Sequence, residues 1–112
     1  MTEQWEKLDS NHQPWEGEVV SEELATVPIL LTRIDGQLKA YHDCCAHNGV
    51  RVSTGHVEGT IITCPAHKWQ YDLRSGEGVN PKKMRLRSLP LMTRDGEIYI
   101  DIGSVIATKV TL

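Results

Sequence analysis

The stretch Val27-Pro-Ile-Leu-Leu-Thr-Arg-Ile34, Asp35-Gly36, Gln37-Leu-Lys-Ala-Tyr41 decides the fold class. Two apolar runs rich in strand-forming residues flank an Asp-Gly pair. Asp-Gly is a favoured two-residue hairpin connection because both positions accept a positive φ. The same grammar recurs outward along the chain. Thr60-Ile-Ile-Thr-Cys64 and Trp69-Gln-Tyr-Asp72 read as a second pair of strands, and Leu91–Arg94, Asp95-Gly96 and Glu97–Ile100 as a third hairpin. Arg85-Leu-Arg-Ser-Leu89 alternates, setting Leu86 opposite Arg85 and Arg87. Glu22–Ala25 is the one short stretch that suggests a helix. Six to nine short strands with Gly and Pro turns, and no linker or repeat, predict a single all-β domain over residues 1–112, a sandwich or partly open barrel.

Bulk composition sets the outer limits. The chain has 112 residues, 39% hydrophobic and 24% charged, as in an ordinary globular protein. Three Trp, three Tyr and no Phe leave little bulky packing material. A small core of this kind directs attention to the three Cys and five His as candidates for a metal staple. The longest apolar run, Val27–Leu31, is far shorter than the roughly 20 residues needed to span a bilayer. The N-terminus, Met1-Thr-Glu-Gln-Trp-Glu6, is acidic and lacks a secretory pattern. With an odd cysteine count, the expectation is a reducing, cytoplasmic location and thiols that act as ligands or core groups. A net charge of −3 argues against nucleic-acid binding.

Two loops interrupt the strand pattern. Tyr41-His-Asp-Cys-Cys-Ala-His-Asn-Gly-Val50 contains Cys45-x-His47, and Cys64-Pro-Ala-His-Lys-Trp69 contains Cys64-x-x-His67. The sixteen residues between His47 and Cys64 suffice for an out-and-back pair of short strands, so two equivalent Cys–His loops can face each other across a hairpin end. Thiolates suit iron bridged by sulfide, and neutral imidazoles suit a second iron at lower cost in negative charge. A structural zinc ion accepts the same four donors, although zinc sites more often pair Cys with Cys and His with His. A thiol nucleophile with a His base is a third reading, but leaves the doubling of the motif unexplained. Plain burial of the four side chains is the remaining one. Spacing does not choose between Cys44 and Cys45, because Cys44-x-x-His47 mirrors Cys64-x-x-His67.

C-x-H, a short interval and C-x-x-H together resemble Rieske-type [2Fe–2S] proteins. The resemblance extends over Trp5-Glu-Lys-Leu8, Gly55 and Gly59 before Ile61–Cys64, and the terminal hairpin. It implies a fold of antiparallel sheets with a small cluster-binding subdomain of two loops, about residues 42–83. It further implies Cys45 and Cys64 as ligands of an inner iron and His47 and His67 as ligands of an outer, surface iron. Cys44 is then a spare thiol packed beneath the loop, and His12, His42 and His56 are surface loop residues. Pro81 falls in the position of a proline loop that covers the cluster. High-potential members join two further cysteines as a disulfide; here those positions are Val50 and Ala66. They also place a Ser where this chain has Trp69, which implies a potential low in the Rieske range of about −150 to +300 mV. Tyr71 stands where high-potential members carry a Tyr that bonds a ligand sulfur.

The narrower resemblance is to ferredoxin components of toluene- and alkene-type di-iron monooxygenases, carried by Cys64-x-Ala-His-x-Trp-x-x-Asp72 and Gly76-x-Gly-Val-Asn-Pro81. It implies a monomeric one-electron carrier with no catalytic residue of its own. Its partners would be an NADH-dependent flavin and iron–sulfur reductase and an oxygenase hydroxylase component. Dioxygenase ferredoxins share every ligand and are the near alternative; a zinc-stapled interaction module is the distant one. Lys82-Lys-Met-Arg-Leu-Arg87 supplies a basic stretch after the proline loop, and outward charges on an alternating strand account for it without a partner.

Overall fold

The structure is a computed structural model, and it describes residues 3–8, 13–45, 50–66 and 68–110, with 107–110 described by backbone alone. Its centre is the long hairpin read first in the sequence: β3 (Val27–Ile34) and β4 (Gln37–His42). Asp35 and Gly36 connect them at φ 54° and 78°. β3 pairs antiparallel with β2 (Val19–Leu24) on its other side, and β4 with the short β9 (Ser88–Leu89), giving the order β2-β3-β4-β9. Glu16 braces the central turn by accepting the Asp35 and Gly36 N–H groups at 2.6 and 2.9 Å.

Because side chains alternate across a strand, β3 feeds two cores. Val27, Ile29 and Leu31 pack with Ala40 and Leu89 on one face. Leu30 and Ile34 pack with Tyr41 on the other. A strand buried on both faces reads as a near-continuous apolar run, which is why Val27–Ile34 stands out. Its one buried polar side chain, Thr32, is satisfied by donating to the Glu18 carbonyl at 2.7 Å.

The first core is closed by a three-stranded sheet of order β1-β11-β10, formed by β1 (Trp5–Lys7), β10 (Leu91–Arg94) and β11 (Glu97–Asp101), which contributes Ile98 and Ile100. The second core is closed by a four-stranded meander: β5 (His56–Glu58), β6 (Ile61–Thr63), β7 (Gln70–Asp72) and β8 (Gly78–Asn80). Among the described residues there are thus eleven strands, more than the six to nine expected, all in antiparallel sheets. The all-β expectation holds, as do the three hairpin pairings.

The structure departs from the sequence expectations in several places. Glu22–Ala25 is not helical: Glu22–Leu24 end β2, and Ala25 and Thr26 form the two-residue turn into β3 at φ 48° and 68°. Pairing with the buried β3 outweighs the helix preference of two glutamates. The one α-helix among the described residues is instead α1 (Gly103–Val110). Its β-branched composition hides it, but Asp101 accepts the Gly103 N–H at 2.8 Å, and Val105 docks on the first core. Only part of Arg85–Leu89 is ladder-paired. The expected alternation nevertheless appears in burial, with Leu86 inside and Arg85 and Arg87 outside. No helix among the described residues is long and apolar enough to cross a membrane.

Candidate metal centre

The end of β4 and the β6–β7 connection bring the two cysteine loops to the second core. Cys45 and Cys64 are 2% and 0% exposed and belong to the same buried cluster, with Val52, Ile62, Tyr71 and Leu73. The loops are built alike. The Cys45 N–H donates to the Val50 carbonyl at 2.8 Å, and the Cys64 N–H donates to the Trp69 carbonyl at 2.7 Å. Each cysteine thus closes a ring on the residue five positions later, an interval that contains the motif histidine in sequence. Lys68 turns the second loop at φ 63°, and its N–H returns to the Cys64 carbonyl at 3.0 Å. His47 and His67 lie outside the described residues, as does His12.

No disulfide joins Cys44, Cys45 and Cys64. Cys44 is only half-buried and stands outside the second core, its Sγ directed at the Cys45 carbonyl at 3.8 Å. Two buried thiols on equivalent loops suit a thiolate-ligated centre; the apolar side chains around them limit water access, and soft sulfur donors match iron–sulfur chemistry. Tyr71 of β7 extends the arrangement, with its buried hydroxyl 3.4 Å from Cys45 Sγ. A tyrosine on the second-loop hairpin thereby reaches the first-loop cysteine.

Trp69 is half-buried and packs on this core, and Pro81 is half-buried just beyond β8. Gly78 lets the proline loop close: a Cβ there would lie 2.1 Å from the Met84 carbonyl oxygen and 2.3 Å from that of Pro81. Below the loops, Tyr41 donates to the Leu73 carbonyl at 2.7 Å. Burial, with the Asp72 charge adding, pushes its pKa up to about 12. The Arg74 guanidinium hydrogen-bonded to Asp72 holds that carboxyl below its usual range.

His42 and His56 are strand residues rather than loop residues, one half-buried at the end of β4 and the other exposed at the start of β5. Sequence reading also passed over Asp43, Arg51 and Ser53, which frame the first loop. The available signal was an acid immediately after an apolar strand and immediately before Cys-Cys, a position the chain turns inward.

Known proteins agree with this architecture. The family model described as Rieske [2Fe-2S] domain matches residues 4–90. The ferredoxin component of the alkene monooxygenase system of Xanthobacter autotrophicus is 33% identical over 87 residues, covering 77% of this chain and 71% of that protein. The anthranilate 1,2-dioxygenase ferredoxin subunit of Burkholderia cepacia is 31% identical over 101 residues, covering 89% and 94%. Among solved structures, a fluorene-bound oxygenase and ferredoxin complex of carbazole 1,9a-dioxygenase superposes with a TM-score of 0.72 at 28% identity, over 86% of this chain. The terminal oxygenase of carbazole 1,9a-dioxygenase from Nocardioides aromaticivorans gives 0.68 at 28% identity. This chain spans only 28% and 29% of those two solved chains. With paired cysteine loops over a shared core and a family match across most of its length, the chain belongs to the Rieske [2Fe–2S] domain family.

Proposed function

We propose that this protein is a one-electron carrier serving an oxygenase, with a [2Fe–2S] cluster held by Cys45, His47, Cys64 and His67. The observation that carries the reading is the matched pair of loops, each closing on its cysteine N–H, with both sulfurs in one buried cluster. Cys45 is preferred to Cys44 because it shares that cluster with Cys64. When bound, such a cluster takes up and releases single electrons without bond-making. The protein's part is to hold the two thiolates dry, to orient Cys45 through Tyr71, and to cover the site with Trp69 and the Pro81 loop. The cluster-binding part is about residues 42–83 of a single domain.

The partners on this reading are an NADH-dependent flavin and iron–sulfur reductase and the di-iron hydroxylase of a multicomponent hydrocarbon monooxygenase, all in the cytoplasm. The likeness to the alkene monooxygenase ferredoxin supports the hydroxylase. The likeness to the anthranilate dioxygenase ferredoxin supports a second reading, delivery to a ring-hydroxylating dioxygenase. A monomer docking weakly and in turn with both partners fits a shuttle.

Iron and acid-labile sulfide in equal amounts, about two of each per chain, test the cluster. NADH-driven product formation with each class of oxygenase tests the partner. Turnover with a di-iron hydroxylase and none with a dioxygenase is the expected result, and the opposite pattern selects the second reading.

A further inference from the structure

Asp43 is a fully buried carboxylate that belongs to no proposed ligand set. It follows β4 directly, and its N–H donates to the Pro28 carbonyl at 2.9 Å. Its Oδ1 accepts the Ser53 N–H at 2.8 Å, and its Oδ2 accepts the Ser53 hydroxyl. Arg51 Nε lies 3.4 Å from Oδ2, an ion-pair separation without hydrogen-bond alignment. Arg51 is held in turn by an Nη2 bond to the Glu22 carbonyl at 3.0 Å. Residue 43 stands before Cys45 and His47, and residues 51 and 53 stand after them. The carboxylate therefore joins the two ends of the first loop, outside the inner ring closed by Cys45 N–H and Val50.

A charged clamp is a costly way to close a loop, because burying a carboxylate demands full compensation. A neutral side chain of the same shape offers the same acceptor to the Ser53 N–H. What the carboxylate and guanidinium add is a fixed pair of opposite charges beside the Cys45 loop. We propose that Asp43 is a positioning residue for the first ligand loop, and that the Asp43–Arg51 pair sets the balance of charge felt by an electron held there. The proposal rests on the reading of Cys45 as a cluster ligand.

An added electron is repelled by Asp43 and attracted by Arg51. Asp43→Asn therefore raises the midpoint potential, Arg51→Gln lowers it, and the double variant returns toward the wild type. Ser53→Ala, which keeps both charges but loosens the clamp, leaves the midpoint in place and speeds iron loss to 2,2′-bipyridyl severalfold. A merely structural role gives faster iron loss in all the variants with no opposition of sign.

The experiment uses the full chain, redox titration followed by visible absorbance, chelator kinetics and thermal unfolding. Midpoints that move together, or not at all, overturn the clamp as an electrostatic device; iron loss from Ser53→Ala at the wild-type rate overturns its positioning role. Should Asp43→Asn not fold, the sign of the Arg51→Gln shift decides: downward supports the proposal, unchanged or upward overturns it. A wild-type protein without iron and acid-labile sulfide overturns the cluster reading itself, a result distinct from each of these.

Discussion

The Tyr71 hydroxyl lies 3.4 Å from Cys45 Sγ, and both groups are buried. Cys45 belongs to the first cysteine loop and Tyr71 to β7, the strand that leads out of the second, so the contact ties the two halves of the site together through the interior. With a thiolate at Cys45, the hydroxyl is the donor. With Cys45 as the proposed ligand, its sulfur would carry more negative charge after reduction, so the bond would favour the reduced form. Tyr71→Phe is therefore expected to lower the midpoint potential. A bond favouring reduction by about 1 kcal/mol corresponds to roughly 40 mV for one electron. Redox titration of the two proteins checks this; an unchanged midpoint reduces Tyr71 to a packing residue.

Cys44→Ser and Cys45→Ser separate neighbours that sequence spacing treats alike. Cys45 is enclosed with Cys64, whereas Cys44 is half-buried outside that cluster. Cys45→Ser is expected to abolish the visible chromophore and bound iron, and Cys44→Ser to leave both within about a factor of two of wild type, since off-site substitutions of modest size seldom unfold a domain. Iron and sulfide analysis of the purified variants distinguishes them.

The two cysteine loops stand out in the sequence because each places a Cys and a His at close spacing between strand-like stretches, and the structure brings both cysteines into one core. The central hairpin was legible because a strand buried on both faces leaves an uninterrupted apolar run at Val27–Ile34. Glu22–Ala25 reads as helical in isolation because pairing with β3 is a property of its neighbour and not of its own residues. The clamp of Asp43 with Ser53 was illegible for a related reason: burial of an acid depends on the two ends of a loop meeting in space. Tyr71 lay between these cases, since its strand position was readable but its reach across to Cys45 was not.

The turn at Ala25 and Thr26 carries strain that the fold tolerates. Both residues sit at positive φ, and Thr26 is β-branched at φ 68°, where L-residues other than Gly and Asn are disfavoured. Thr26→Gly is expected to stabilise the protein by about 0.5–1 kcal/mol, the relief of strain exceeding the entropy gained by the unfolded chain. Thermal unfolding at fixed pH measures it, and the cluster spectrum should not change because the turn lies on the β2–β3 hairpin, outside both cysteine loops.

Two titrations beneath the loops give stability opposite slopes at the two ends of the pH scale. Asp72 has its folded pKa lowered, first by its hydrogen bond from Arg74. Its contribution is present above the ordinary carboxylate pKa and is lost as pH falls through the lowered value. Arg74 is largely exposed, so solvent screening keeps this contribution small. Tyr41 has its folded pKa raised to about 12 from 10.0, chiefly by burial. Below pH 10 its contribution is complete, and it is lost as pH rises toward 12, because the unfolded chain releases the proton first. The loss is on the order of 2 kcal/mol. Denaturant unfolding of wild type and Tyr41→Phe between pH 8 and about 12 isolates this contribution. The variant is expected to start less stable, lacking the bond to the Leu73 carbonyl, and to fall less steeply through the alkaline window. Parallel curves would show that Tyr41 keeps its proton equally in both states, and that the hydroxyl is more open to water than its packing against the second core implies.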